Sequence, residues 1–345
     1  MRSAVKSITC LVIAGSMTCV SCSGGASKTA QLLPPLSKPG ACAGAVLARH
    51  GQVVGQQEAG TGSADASHAL FDIGSAAKSL TAAAVVLLAQ NHELSLHATI
   101  ARYLPRVPDD KRDITIDELL THTSGLPADF ASDQTVISRD DAVGEILALP
   151  RRAPGQFRYS NAGYTLLAAV VEHVANMRFK EFVAQRLLQP SGMRSTGWYG
   201  APPPSGTHPA DGHVGGRDTG PAGSQAPGSW ATLGAGGMTS TVTDLIHWLF
   251  AVNTGSLLSG RWRNEMFRGR VAIDAPGAEA AYGFVVGATP DGQPIRLVGG
   301  DTDYGFTSDL RYYPRKDVAT VALSCSDTTP AQDLGHALEA AALRT

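Results

Sequence analysis

Charge is scarce in this sequence and evenly signed. Lys and Arg number 28 and Asp and Glu 30, so the 345 residues carry a net charge near −2. No basic tail, stripe or arm stands out, which excludes a partner gripped through its phosphates, as nucleic acid is. Long apolar runs are missing as well. Beyond the N-terminal stretch, nothing reaches the roughly 18 uninterrupted apolar residues that a membrane-crossing helix needs. There is no Gly-x-Ser-x-Gly elbow, so the α/β-hydrolase arrangement is set aside. No internal repeat appears at solenoid or propeller spacing. Cysteine is rare: three of the five, Cys10, Cys19 and Cys22, fall near the start, leaving only Cys42 and Cys325. Those two either pair or serve as small buried core residues.

What is present suits a folded protein. At 43% hydrophobic residues the chain can build one large core or two smaller ones. Its first residues combine Arg2 and Lys6 with an apolar run from Ile8 to Val20 and then small residues, the pattern of an export signal over residues 1–21. Cys22 ends that run before "SGGAS" and resembles the acylated cysteine of bacterial lipoproteins. The resemblance implies a lipid anchor at Cys22 and a periplasmic or cell-envelope location; ordinary signal cleavage nearby is the alternative. Residues 22–40 read as a flexible tether, and 41–345 as the folded domain.

Within that domain, apolar stretches on either side of His50-Gly51-Gln52 predict a β-hairpin. From Ser75 the pattern turns helical through "SLTAAAVVLLAQ", and "TIDELL" is a short helix before Gly125 and Pro127. Residues 161–193 carry two further helices, residues 200–230 read as mostly loop, and Thr241 to Asp244 look like a capped helix start. Strand-like segments return at "AYGFVVGATPDGQPIRLVG", "GFTSDLRYYP" and "DVATVALSC", followed by a last helix. This order predicts an α+β fold: an antiparallel sheet assembled from both chain ends, with an inserted, mostly helical lobe and a site in the cleft between them.

The candidate chemistry starts at Ser75 and Lys78. Three residues apart on a helix, their side chains share one face. A turn at Gly74 would put the hydroxyl at the helix's positive end, and a desolvated lysine loses its proton readily and can act as a base. The spacing alone is weak, since Ser3 and Lys6 repeat it inside the signal, and helix capping is the bland reading. Tyr159-Ser160-Asn161 stands in a loop before a helix. Its phenol suits proton relay and its amide suits orienting a lysine or a substrate carbonyl; packing and capping are the alternatives. His208, Asp211 and His213 cluster without a third strong ligand in a fixed element, so no metal or other cofactor is expected.

Together "FDIGSAAKSLTAAAVVLLAQNHELSLHATIARYLP", "ITIDELLTHTSGLP", "YSNAGYTLLAAVVEHV", "PSGM" and "GAGGMTSTVTDLIHWL" resemble the serine β-lactamase and penicillin-binding-protein superfamily. The likeness is nearest the class C β-lactamase branch with its esterase and D-peptidase relatives. This implies a β-lactamase/transpeptidase-like fold and a serine hydrolase working through an acyl-enzyme. Carried over, Ser75 is the nucleophile, Lys78 its base, Tyr159 the proton relay, and Asn161 a contact to lysine and substrate. His122 of "HTSGL" is expected to be a packed loop residue. The family's third motif, Lys or His followed by any residue and Gly, is missing. The matching stretch offers Gly299, Gly300, Asp301 and Thr302, whose backbone suits an oxyanion hole but which lack the side chain that meets a substrate carboxylate. Arg296 and Arg311 are read as solvated strand residues rather than substitutes. Asp301 and Asp303 give the cleft a negative edge that disfavours anionic substrates. Small-molecule or peptidoglycan-like substrates follow, cleaved at an ester, a D-amino-acid peptide or a β-lactam. A catalytically weak or inactive binding or sensor lipoprotein on the same scaffold is the alternative. The family layout also sets the first strand beside the last, implying a Cys42–Cys325 disulfide worth roughly 4 to 5 kcal/mol in the chain-entropy model.

Overall fold

A computed structural model describes residues 42–61 and 68–344. The signal, the tether and Cys22 lie outside the described residues. Strands β1 (Ala43–Arg49) and β2 (Gln52–Ala59) form the predicted hairpin, with His50 and Gly51 both at positive φ, as a two-residue turn matched to strand twist requires. Next come β3 (Ala69–Asp72), β4 (Gly197–Trp198), β5 (His208–Pro209), β6 (Asp211–Val214), β7 (Arg217–Pro221) and β8 (Met238–Ser240). The C-terminal part adds β9 (Val271–Ala272), β10 (Glu279–Ala280), β11 (Val285–Ala288), β12 (Pro294–Asp301), β13 (Thr307–Tyr313) and β14 (Val318–Ser324).

Both chain ends build the large sheet. Among the described residues it has eight strands in the order β2-β1-β14-β13-β12-β11-β10-β9, paired antiparallel, with Ala43 opposite Ser324 and Arg49 opposite Val318. Cys42 and Cys325, just beyond that first pair, form a disulfide with Cα atoms 5.2 Å apart. Residues 200–230 are more ordered than their Gly and Pro content predicts. β6 and β7 form a hairpin there, and β5 joins β3 in a second sheet ordered β4-β8-β3-β5. Pairing with neighbouring backbone overrides the weak strand propensity of this segment.

The helices are α1 (Ala77–Gln90), α2 (Ile116–Leu120), α3 (Arg139–Ala148), α4 (Asn161–Ala175), α5 (Phe179–Val183), α6 (Val242–Asn253), α7 (Gly260–Met266) and α8 (Ala331–Leu343). Two caps follow the sequence. Thr115 and Glu118 form a reciprocal capping box on α2, and the Thr241 side chain accepts from the Asp244 N–H on α6. Helices α6 and α8 cover opposite faces of the sheet, so β14 is buried along its whole length and reads as a mostly apolar run broken by Thr320. In β1, Ala43, Ala45 and Leu47 face the α8 layer while Val46 and Ala48 join the larger core. Helix α1 is buried on nearly every side and packs against α4, α5 and α7, which fixes its first turn rigidly at the lobe boundary.

Candidate active site

β3 ends at Asp72, and the chain turns through a short 3₁₀ segment, Gly74–Ala76, into α1. Gly74 has φ +50°, and a Cβ there would stand 2.7 Å from the Asp301 carbonyl oxygen, so the turn needs glycine both for its backbone and for the approach of β12. Ser75 does not cap the helix: the residues flanking the turn make no side-chain cap bond. Its Oγ instead lies 2.9 Å from Lys78 Nζ and accepts a hydrogen bond from the Tyr159 hydroxyl at 2.5 Å.

Lys78 is 3% exposed and donates to the Ala235 carbonyl at 2.7 Å. Burial brings its pKa down to about 7, against the opposing pull of Asp129, Asp133 and Asp301. Its neutral form, able to accept a proton, is therefore accessible near pH 7. Two buried hydrogen bonds hold α1 in place, one to the segment that carries Ala235 and one to α6. Thr81 donates to the Gly234 carbonyl, and fully buried Trp248 on α6 donates from Nε1 to Ser79 Oγ at 2.9 Å.

Tyr159 is 41% exposed, yet its hydroxyl end sits where burial raises the pKa, partly offset by the bond to Ser75. The phenol stays neutral and keeps its proton to donate. His122 is stacked between Tyr159 and Tyr164, at centroid distances of 4.7 and 4.9 Å. Its Nδ1 accepts from the Ser160 N–H at 3.0 Å, and burial, with the Lys78 charge, depresses its pKa to about 3. The ring is thus a neutral spacer that holds Tyr159 upright, as the packed-loop reading expects.

The Ser160 side chain caps α4 by accepting from the Gly163 N–H, leaving Asn161 free of that duty. Asn161 Nδ2 donates to Asp129 Oδ1 at 2.6 Å, and among the described residues no hydrogen bond joins it to Lys78. That differs from the contact the resemblance implies. The physical reason is that Ala235 and Ser75 already occupy the amine, while an acidic loop absent from the sequence reading attracts the amide.

β12 forms the far wall. A Cβ on Gly300 would fall 2.3 Å from the Ser75 nitrogen, so the strand passes directly over the nucleophile's backbone. Ser308 on β13 ties the same corner by donating to the Ile73 carbonyl at 2.8 Å. Thr302 Oγ1 accepts from the Phe306 N–H and closes the strand's end. Arg296 and Arg311 do not reach the cleft, and the reading of Arg311 as solvated needs correction. Arg311 is 3% exposed and pairs with Asp309 and Glu339 beneath α8, while Arg296 is half-buried, lies over the Phe267 ring and donates to Asn253. Arg296 shares the β12 face of Gly300 but lies four residues down the strand, held against Asn253 of α6, whereas Arg311, opposite Leu297, lies on the other face under α8.

Two flanks meet at Ser75. One is polar, with Asp133, Asn161, Tyr199, Thr232, Asp301 and Thr302; the other is apolar, with Phe157, Ala280, Phe284, Val285, Leu297 and Val298. Asp129, Asp133 and Tyr199 were not singled out from the sequence. The run of acids in "PADFASDQ" after the "HTSGL" stretch is the signal that points to the first two. His208, Asp211 and His213 fall on β5 and β6. Among the described residues no group of three or more metal-binding side chains converges.

With this geometry in view, the comparisons with known proteins are concordant. The Beta-lactamase family model matches residues 30–344, and the chain belongs to that family. A putative penicillin-binding protein, PbpX, from Bacillus subtilis is 28% identical over 249 residues, 69% of this chain and 60% of its own. The chain thus spans less than two thirds of that curated relative. A D-stereospecific amidohydrolase from Streptomyces superposes with a TM-score of 0.75 at 22% identity, over 91% of this chain and 97% of that one. A class C β-lactamase from Rhodobacter sphaeroides gives 0.72 at 19%, over 88% and 95%. These place the fold in the β-lactamase and penicillin-binding-protein superfamily.

Proposed function

We propose that this chain is an exported serine hydrolase that cleaves an ester or amide through an acyl-enzyme on Ser75. The reading rests on one observation, the convergence of Lys78 Nζ and the Tyr159 hydroxyl on Ser75 Oγ at 2.9 and 2.5 Å. Neutral Lys78 takes the hydroxyl proton as Oγ bonds to the carbonyl carbon. The carbonyl oxygen becomes an anion in front of the Ser75 N–H and the Asp301 N–H at the end of β12. Tyr159 passes a proton to the leaving group and regains one from Lys78, the bond to the leaving atom breaks, and the acyl group stays on Oγ. Water then attacks the ester; its proton passes to the same pair, and Oγ leaves with a proton returned.

The cleft lacks the third-motif Lys or His and presents Asp133 and Asp301 instead. A carboxylic ester or a D-peptide-like amide therefore suits it better than a carboxylate-bearing β-lactam, and the likeness to the amidohydrolase points the same way. Export and a lipid on Cys22 belong to the same proposal; release of a Cys22→Ala chain from the membrane fraction would support them.

The test is labelling with a fluorophosphonate and a fluorescent penicillin, in the wild type and in Ser75→Ala. Fluorophosphonate label alone supports an esterase or amidase, and label from both supports the penicillin-recognising branch. Label from neither favours a binding protein on this scaffold. Serine-dependent label at another residue removes the mechanism.

A further inference from the structure

We infer that the site selects an ester or amide bearing a positive charge, such as a primary ammonium, on the flank of Ser75 that faces Asp133 and Asp301. The inference deepens the hydrolase reading and rests on Ser75 being the nucleophile. The polar flank is lined by two carboxylates, and none of its lining residues is Lys, Arg or His. Asp129 stands behind Asn161, and Asp303 follows Thr302 on the rim. Negative charge is crowded here: burial, then repulsion from Asp303 and Asp129, hold the Asp133 carboxyl above its ordinary range.

The counter-charge at hand is Lys78, which feels Asp129, Asp133 and Asp301. It must be neutral before it accepts the Ser75 proton, so in the substrate complex poised for attack the carboxylates lack that cation. A substrate ammonium supplies it, and its charge also favours the neutral lysine. A second, independent observation concerns Asn161. With Nδ2 committed to Asp129, its Oδ1 is buried with no hydrogen-bond donor. Such an acceptor is costly to leave unmet; an N–H donor satisfies it and a carboxylate cannot. The opposite flank, with Phe157, Phe284, Leu297 and Val298, takes the apolar part of the substrate.

The test uses three fluorophosphonates of equal chain length ending in ammonium, methyl or carboxylate, each with the wild-type enzyme. Labelling forms the Oγ–P bond and breaks P–F, with fluoride leaving and the serine proton passing to Lys78, so no turnover is needed. The ammonium probe is expected to label about tenfold faster than the methyl probe, and the carboxylate probe slowest. The preference should shrink with added salt. It should also shrink in Asp133→Asn and Asp301→Asn, where the ratio of rates within one variant cancels any loss of folded enzyme. Equal rates for the three probes, or fastest labelling by the carboxylate, overturn the inference while leaving the nucleophile intact. No labelling by any probe overturns both.

Discussion

Replacing Gly300 with alanine tests whether β12 is one half of an oxyanion hole. The glycine's backbone is not in the left-handed region, so the effect comes from space alone. A Cβ there would lie 2.3 Å from the Ser75 nitrogen, 2.7 Å from the Ile73 oxygen and 2.9 Å from the Gly74 carbonyl carbon. All three are backbone atoms, and ordinary contact begins at 3.4 Å. Strand and turn must therefore part by about 1 Å, which separates the two N–H groups proposed to receive the developing anion. Displacing one such donor costs about a hundredfold or more in rate, roughly 2.7 kcal/mol. The measurements are kcat/KM on a p-nitrophenyl ester and the rate of fluorophosphonate labelling, beside the thermal midpoint. A Gly300→Ala enzyme with an unchanged midpoint and kcat/KM within about threefold of wild type would refute the assignment.

Other perturbations separate the remaining roles. Tyr159→Phe keeps the ring stacked 4.7 Å from His122 while removing the hydroxyl. A drop in kcat/KM of about 10² to 10⁴ with an unchanged unfolding midpoint is expected, and near-wild-type turnover would exclude proton relay. Because the base form of Lys78 is the neutral one, kcat/KM should rise as pH climbs through about 7. Asp133→Asn, which removes a charge that favours the ammonium, should move that rise to lower pH, and a shift upward would contradict the electrostatics. Cys42→Ser should lower stability by about 2–5 kcal/mol in urea titrations under oxidising conditions, with no further loss on adding Cys325→Ser. A strong difference between the single and double variants would show that one thiol acts alone.

The local signals in the sequence carried far. Alternating and unbroken apolar segments at both ends give the strands of the sheet, and the Ala- and Leu-rich run after Ser75 gives α1. What linear patterns conceal is how chemistry is shared between distant segments. Nothing near Trp248 announces a hydrogen bond to Ser79, 169 residues away. Asn161 was legible as a site residue, but its partner Asp129 lies on a loop that composition marks only as acidic. The residues from 200 to 230 look structureless because Gly and Pro dominate, and their short strands exist only because β3 and the β6–β7 pairing supply hydrogen-bond partners. Arg311 was misread for a similar reason: a charged residue on a strand reads as solvated until α8 covers it.

The confinement of Lys78 has a consequence for the acyl-enzyme as well as for its formation. A neutral amine within reach of an ester is itself a nucleophile, and capture of the acyl group would end the cycle as an inert amide. Here one hydrogen bond is anchored on the Ala235 carbonyl, and the rings of Tyr159 and Tyr164 lie 4.8 and 5.7 Å from the nitrogen. With 3% of the residue exposed, the amine is engaged by the Ala235 carbonyl and Ser75 Oγ, contacts that hold it at the oxygen rather than at the acyl carbon. In the proposed cycle, the same packing that lowers the Lys78 pKa keeps the amine from competing for the acyl group.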